Sequence, residues 1–395
     1  MKRLKYNYLF FLYMEDEYFT KQILTYMGNK RKFLNKIDEI ITLVKTEIGE
    51  KNINIAEGFS GSGIVSRLFK NRVMNDVVPL EELKTLYVND MAGYSKTLNE
   101  CYLTSTTDLT TNDYENLILH NKRLKTFLSK SKIPKKFISK HWSPNNDNNI
   151  KEGERAYFTF KNACTIDKMM YYIKNKVEKK YQCYFLAPLL VKCSIHNNTN
   201  GQFSAYYKNE EKTRGMYGGK KKVDLHRITG EILPELPILT QHKANVKISQ
   251  MDTNKWVKTL PQVDLMYYDP PYNKHPYNIY YFLLDIINNW NTDMEIPDTY
   301  RGQPKDWIKS PFCSFVNAKE SFDDLIKNTK AKYILVSYNN KGIISLNELD
   351  EILKKYGELR KIPVEHTVYN KLLGIAAKKR KKENKKVEEF LWLLK

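Results

Sequence analysis

Residues 267–277 read YYDPPYNKHPY: an aspartate, two prolines and a tyrosine directly after the apolar run Val263, Leu265, Met266, Tyr267 and Tyr268. That run predicts a buried strand. The strand must stop at Asp269, because Pro270 and Pro271 offer no N–H to a sheet ladder. Each proline also pushes the residue before it into extended geometry. Asp269 and Tyr272 are thereby presented on a stiff, non-helical lip at a strand end, the edge of an open α/β sheet where ligands bind. Held there, a carboxylate can accept hydrogen bonds and a phenol ring can offer a stacking face.

Other groups share the strand-end setting. In AEGFSGSG, Gly61 and Gly63 follow a short β-branched strand and precede a helix. Glycine lets backbone N–H groups approach a ligand closely, and the helix N-terminus adds a favourable field. A plain strand-to-helix turn reads the same way. The six-residue dinucleotide fingerprint is absent, since Val65 and Ser66 stand where its third glycine is expected, which argues against NAD. Asp90 ends TLYVND and Asp252 ends NVKISQMD. An acid in that place accepts hydrogen bonds from ribose hydroxyls or caps the following helix.

The elements that position these groups alternate. GNK reads as a turn, followed by an amphipathic helix through Phe33, Ile37, Ile40, Ile41 and Val44. Strands and helices then alternate as a parallel-rich, doubly wound α/β sheet requires. The pattern is interrupted by a polar, Lys- and Asn-rich stretch and returns at about residue 246. The expected organisation is a sheet domain in two parts, 1–104 and 246–395, around an insertion over 105–245. No internal repeat is present.

Lys and Arg number 65 against 45 Asp and Glu, a formal net charge of +20, and the sequence pI is near 9.4. That excess favours a polyanionic partner. A Lys-rich genome bias gives the same excess, and the run KKRKKENKK (378–386) reads as a solvated loop or tail. No apolar window is long enough for a membrane span, and the tyrosine-broken N-terminus lacks a small-residue cleavage site. Five scattered cysteines without a CxxC pair suggest reduced thiols rather than a disulfide framework or a zinc site. No metal is expected, and the expected location is a bacterial cytoplasm.

Asp-Pro-Pro-Tyr after an apolar strand, with FSGSG upstream, resembles the amino-methyltransferases that use S-adenosylmethionine on DNA. The order of parts resembles the Dam-like adenine-N6 enzymes of the D12-type alpha class: TYMGNKRKFL (25–34), FSGSG, the insertion, DPPY, then YILVSYNNKG and NELDEILKKYG. SIHNNTNGQF resembles the segment leading into a DNA-contacting hairpin. The resemblance covers roughly 20–105 and 245–395. It implies a Rossmann-like S-adenosylmethionine methyltransferase fold with an inserted target-recognition domain. It also implies that Phe59, Gly61 and Gly63 border the methionine part of the cofactor, with Glu57 near its amino group. Asp90 would take the ribose, and Asp252 the cofactor's adenine amine. Tyr26 and Lys30 would lie near the methionine end or the flipped base. Asp269, Pro270, Pro271 and Tyr272 would be catalytic, with Asn273 and Tyr277 extending the lip.

The implied chemistry accounts for the residue types. An exocyclic adenine amine is a poor nucleophile, because its lone pair is delocalised into the ring. Two acceptors aimed at its N–H bonds, the Asp269 carboxylate and the Pro270 carbonyl, would draw the nitrogen toward tetrahedral geometry. Prolines fix those acceptors in advance, Tyr272 stacks on the base, and no covalent nucleophile is needed. The base must leave the duplex to reach such a pocket.

The stretch YYKNEEKTRGMYGGKKKVDLHR sets Lys208, Lys212, Arg214, Lys220, Lys221, Lys222 and Arg227 among Tyr206, Tyr207 and Tyr217. Lysines there would hold phosphates and arginines read guanine edges; a solvated basic loop is the alternative. The expected partner is double-stranded DNA, with a cognate restriction endonuclease if the chain serves a restriction system. An orphan methylase would look the same. Cytosine N4 and RNA adenine remain alternative targets, although cytosine-N4 enzymes usually carry serine where Asp269 stands. Protein-glutamine enzymes usually carry Asn-Pro-Pro-Tyr and no large basic insertion. A non-catalytic nucleic-acid-binding protein on a degenerate core is the remaining alternative; it would give no thermal shift with S-adenosylmethionine.

Overall fold

The computed structural model describes residues 17–21, 24–74, 83–305, 309–364 and 388–395. The basic run 378–386 and most of the N-terminal segment lie outside them. The strands are β1 Ile55–Glu57, β2 Thr85–Asn89, β3 Asn245–Ser249, β4 Val263–Tyr268, β5 Ala331–Asn339, β6 Leu359–Val364 and β7 Glu389–Leu394. The helices that matter here are α1 Leu34–Ile48, α2 Ile64–Val73, α3 Gly93–Tyr102, α4 Thr111–Lys130, α5 Phe160–Lys176, α6 Lys179–Ile195, α7 Thr253–Val257, α8 Tyr277–Asn289, α9 Ala318–Lys327 and α10 Leu346–Lys354.

One seven-stranded sheet runs in the order β3-β2-β1-β4-β5-β7-β6. The first five strands of that order are parallel, and β7 is antiparallel to both neighbours. This is the Rossmann-like methyltransferase arrangement. The strand order reverses between β1 and β4, and in open α/β sheets ligands bind outside the carboxyl ends of the strands at such a point.

The local sequence explains the elements. In β4, Leu265, Met266, Tyr267 and Tyr268 are all buried, the near-continuous apolar run of a strand covered on both faces. In α1, Ile37, Ile40, Ile41 and Val44 are buried at helical spacing, and the helix ends at Gly49 in left-handed geometry (φ +77°), whose N–H reaches the carbonyls of Lys45 and Thr46. Ser345 and Glu348 form a capping box at the start of α10. A core on one side of the sheet joins Trp256 of α7, Met266 of β4, Phe322 of α9, Ile352 of α10 and Trp392 of β7. Each such fully buried large side chain contributes about 1.5–3 kcal/mol.

The chain divides into two compact units. The sheet unit comprises 28–99, 242–277 and 307–395; a helical unit comprises 1–27, 100–241 and 278–306. The sequence reading gave all of 246–395 to the sheet domain, but residues 278–306 belong with the helices. Within that unit the Phe282 ring of α8 meets Tyr157 edge-on at 5.9 Å. Arg155 donates to the carbonyls of Pro297 and Thr299, and the Trp142 indole donates to Arg301 O at 3.1 Å. No Gly- or Ser-rich linker marks this return in the sequence. Among the described residues no helix is long and apolar enough to cross a membrane.

Candidate active site

At the carboxyl end of β4 the chain turns outward at Asp269. Its Oδ1 lies 3.1 Å from Lys30 Nζ. The same ammonium lies 3.2 Å from Glu389 Oε2, and of these two contacts it is aligned as a hydrogen bond on the Glu389 side. Asp269 Oδ1 is buried and, among the described residues, has an ion-pair neighbour but no aligned donor. Burial pushes the Asp269 carboxyl up, Lys30 pulls it back and Glu389 pushes it up again, to about 6. Burial pulls the Lys30 ammonium down, but Asp269 and Glu389 hold it well above its ordinary value. At neutral pH this is an ionised acceptor beside a fixed cation.

Tyr272 completes the lip. Its ring meets Tyr338 of β5 edge-on at 6.1 Å, and Lys30 Nζ is 5.8 Å from its centroid. Ile343 N donates to its carbonyl at 3.2 Å, which ties the lip to the segment after β5. Gly28 explains the GNK turn. Its φ is +74°, and a Cβ there would sit 2.6 Å from the Tyr272 hydroxyl and 3.4 Å from that of Tyr277. Only glycine allows both the backbone and the approach.

Across the crevice, β1 ends at Glu57, whose register partners are Val88 on β2 and Tyr267 on β4. Glu57 is buried and accepts from Ser66 Oγ of α2 at 2.5 Å. Burial pushes its carboxyl up to about 8, against the Ser66 bond, with Asp269 and Asp90 adding to the rise. The turn beyond it has Gly61 and Gly63 both at positive φ, and a Cβ on Gly63 would meet Asn99 Oδ1 at 2.8 Å. Phe59 packs edge-on against Tyr268 and Phe312. Asp90, half-buried at the end of β2, accepts from Gly61 N at 2.7 Å and Ala92 N at 2.8 Å, and burial raises its carboxyl. Asp252 caps α7, accepting from Lys255 N at 3.1 Å.

The sheet unit therefore holds Lys30, Glu57, Phe59, Gly61, Gly63, Asp90, Asp252 and Asp269 to Tyr272 along one edge. Tyr26 belongs to the helical unit, stacked on Tyr281 with ring centroids 4.6 Å apart. Among the described residues no group of three or more His, Cys, Asp or Glu is set to hold a metal ion.

The basic stretch forms a hairpin in the helical unit, with Lys208 bridged antiparallel to Gly215. Asn198 clamps its base: its amide donates to the carbonyls of Ala156, Tyr207 and Met216 and accepts from Gly218 N. Lys212, Arg214, Lys220, Lys221 and Lys222 are exposed, with Lys220 paired to Glu210 at 2.6 Å. Lys208 lies 4.6 Å from the Tyr300 ring, and Arg301 is 4.9 Å from the same ring. Arg227 is used differently: its guanidinium donates to the carbonyls of Ile195, Asn197 and Thr199. It secures the loop after α6.

The sequence reading missed Glu389, Gly28, Tyr300 and Arg301. Glu389 had a faint signal, an acid at an inward position of the apolar strand EFLWLL. Tyr300 and Arg301 had none, because their partner Lys208 is remote in sequence.

A family model described as D12 class N6 adenine-specific DNA methyltransferase matches residues 26–352. The chain is similar to the type II methyltransferase M.NlaIII of Neisseria lactamica, 26% identical over 87% of this chain and 91% of that protein. It is similar to the modification methylase LlaI of Lactococcus lactis, 25% identical over 93% of this chain but 54% of that protein. It is also similar to the type II methyltransferase M.FokI of Planomicrobium okeanokoites, 29% identical over 61% of this chain and 35% of that protein. With the aspartate-proline-proline-tyrosine lip at the end of β4, the glycine turn after β1 and the 3-2-1-4-5-7-6 sheet, this match means that the chain belongs to the D12 class N6 adenine-specific DNA methyltransferases.

Proposed function

We propose that the chain methylates adenine N6 at a specific sequence in double-stranded DNA, with S-adenosylmethionine as donor, on a base rotated out of the helix. The observation that carries the reading is Asp269 Oδ1, buried, ion-paired to Lys30 at 3.1 Å and without an aligned donor. In this role Oδ1 accepts one amine hydrogen and the Pro270 carbonyl the other. Pro270 and Pro271 fix both acceptors before the base arrives, so little reorganisation remains at the transition state. Tyr272, braced by Tyr338 and Lys30, offers the stacking face. Asp269, ionised above a pKa of about 6, stabilises the positive charge that develops on N6 and is the nearest base for its proton.

The acids at the strand ends suit the donor. Glu57, Asp90 and Asp269 raise one another's pKa or are raised by burial, and a ligand carrying sulfonium and ammonium charge relieves that strain. In this reading Glu57 faces the ammonium, Phe59, Gly61 and Gly63 border the methionine part, Asp90 accepts from the ribose, and Asp252 accepts from the cofactor's adenine amine. The chemistry supplied by S-adenosylmethionine, when bound, is a methyl group already activated by its sulfonium. The residues then have only to hold nitrogen and carbon in line.

Lys208, Lys212, Arg214 and Lys220 to Lys222 contact DNA in this reading, with Arg214 the base reader and the lysines on phosphates. The relatives are named as type II methyltransferases and a modification methylase, and a cognate endonuclease and a bacterial cytoplasmic setting belong to the same proposal. The test is Asp269→Ala assayed on duplex DNA digested to nucleosides. Wild type should give N6-methyladenine, and the variant should give none while calorimetry shows cofactor binding retained. N4-methylcytosine from wild type would overturn the target, and a fully active variant the mechanism.

A further inference from the structure

Lys30 is buried together with two carboxylates, and only one of them belongs to the lip. Three charged groups with a net charge of −1 are costly to bury, and a second acid is not needed to neutralise the cation. Glu389 therefore calls for an explanation beyond charge balance. It is the first residue of β7 and is held on both sides, opposite Asn339 of β5 and Val364 of β6. Asp269 sits on the turn after β4, and Lys30 on the short segment before α1, where Phe33 N donates to Lys30 O at 2.8 Å. Of the three, only Glu389 lies within a strand of the sheet. It takes a hydrogen bond from the ammonium at 3.2 Å, while Asp269 Oδ1 lies 3.1 Å from the same nitrogen, so one cation bridges the two carboxylates.

We propose that Glu389 is a positioning residue for methyl transfer: by sharing Lys30 with Asp269 it holds the ammonium from the sheet side and divides its charge, so that Asp269 stays a strong acceptor for the substrate amine. This rests on the reading of Asp269 as the amine acceptor. If Lys30 served Asp269 alone, its whole charge would fall on that carboxylate, which would be a weaker acceptor and a weaker base. With Glu389 present, the cation is shared, and the second acid keeps Asp269 basic.

The groups that face Asp269 come from several elements: Lys30 before α1, Glu57 at the end of β1, Tyr267 on β4, Tyr272 on the lip and Glu389 on β7. Of these, Lys30 lowers the Asp269 carboxyl and Glu389 raises it. Removing the Glu389 charge both ends the repulsion and frees Lys30 to turn toward Asp269. The two changes act in the same direction.

The experiment uses the full chain, saturating S-adenosylmethionine and duplex DNA, with single-turnover rates of N6-methyladenine formation measured across pH. Glu389→Gln should lower the plateau rate and move the acidic limb of the profile to lower pH by about one unit, the usual size of an ion-pair effect at this range. A slower variant whose limb stays at the wild-type pH would overturn the inference, because a merely structural ion pair would not move it. Glu389→Asp keeps the charge but draws it back by one methylene, so its limb should move the same way by less. If Glu389→Gln does not fold, an unmoved limb in Glu389→Asp overturns the inference. Absence of N6-methyladenine from wild type would instead sink the underlying reading of the site.

Discussion

Glu57 retains its proton to about pH 8 because burial disfavours its carboxylate, with Asp269 and Asp90 adding like charge and only the Ser66 hydroxyl opposing. In the unfolded chain the same carboxyl titrates near 4.5. Between those values the unfolded state has lost a proton that the native state keeps. Stability from this group is therefore fully present below the unfolded pKa and falls as pH rises toward about 8. Thermal unfolding of the ligand-free protein should show it: the melting temperature of wild type minus that of Glu57→Gln should decline steadily from pH 5 to pH 8, roughly the window between the two pKa values. Parallel curves for the two proteins would mean that Glu57 ionises normally in its setting.

At the scale of elements, Gly28 and Gly49 make a controlled pair. Both have left-handed backbone, φ +74° and +77°, so an added methyl costs each about 1–2 kcal/mol of strain. They differ in surroundings: nothing lies within 4 Å of a Cβ on Gly49, whereas on Gly28 it would meet the Tyr272 hydroxyl at 2.6 Å. Both Gly→Ala variants should melt earlier, but only Gly28→Ala should lose methyl transfer, and adding Tyr272→Phe should restore part of it. Equal activity in the two single variants would separate the GNK turn from the lip. The same region shows what sequence makes legible. The helix face through Ile37 and Ile41, the stop at Pro270 and the glycine turn after β1 are all set by nearest neighbours in the chain, so local rules find them. The ion pair between Lys30 and Glu389 joins positions 359 apart, and nothing local to either residue marks the other. The setting of Arg227 was hidden for the opposite reason. It sits in a run of surface cations and reads as one of them, until three carbonyls are seen around its guanidinium.

For the whole molecule the net charge of +20 governs how the protein responds to salt. Binding to duplex DNA should weaken steeply as ionic strength rises, because each counterion displaced from the phosphates gains less entropy on release into a saltier bulk. Changing Lys220, Lys221 and Lys222 together to alanine should flatten the log–log slope by about two to three units, the lower figure if the Glu210 partner of Lys220 already offsets one charge. An unaltered slope would place the phosphate track elsewhere. Domain layout was only partly legible: the polar stretch near 105–245 stood out by composition, but the described residues of 1–27 and 278–306 carry no such mark and group with the helical unit. Each unit is thus assembled from three separate stretches of chain. The position of β7 adds a consequence for biosynthesis. Translation delivers residues in order, and β7 is the last described strand to emerge, yet it inserts between β5 and β6. Until then β6 has no neighbour, β5 has an open edge, and Lys30 has one carboxylate in place of two. A ribosome-bound chain would carry the lip, the glycine turn and the strand-end acids long before it could align Lys30. Competence would arrive in one late step, when β7 slots into the sheet.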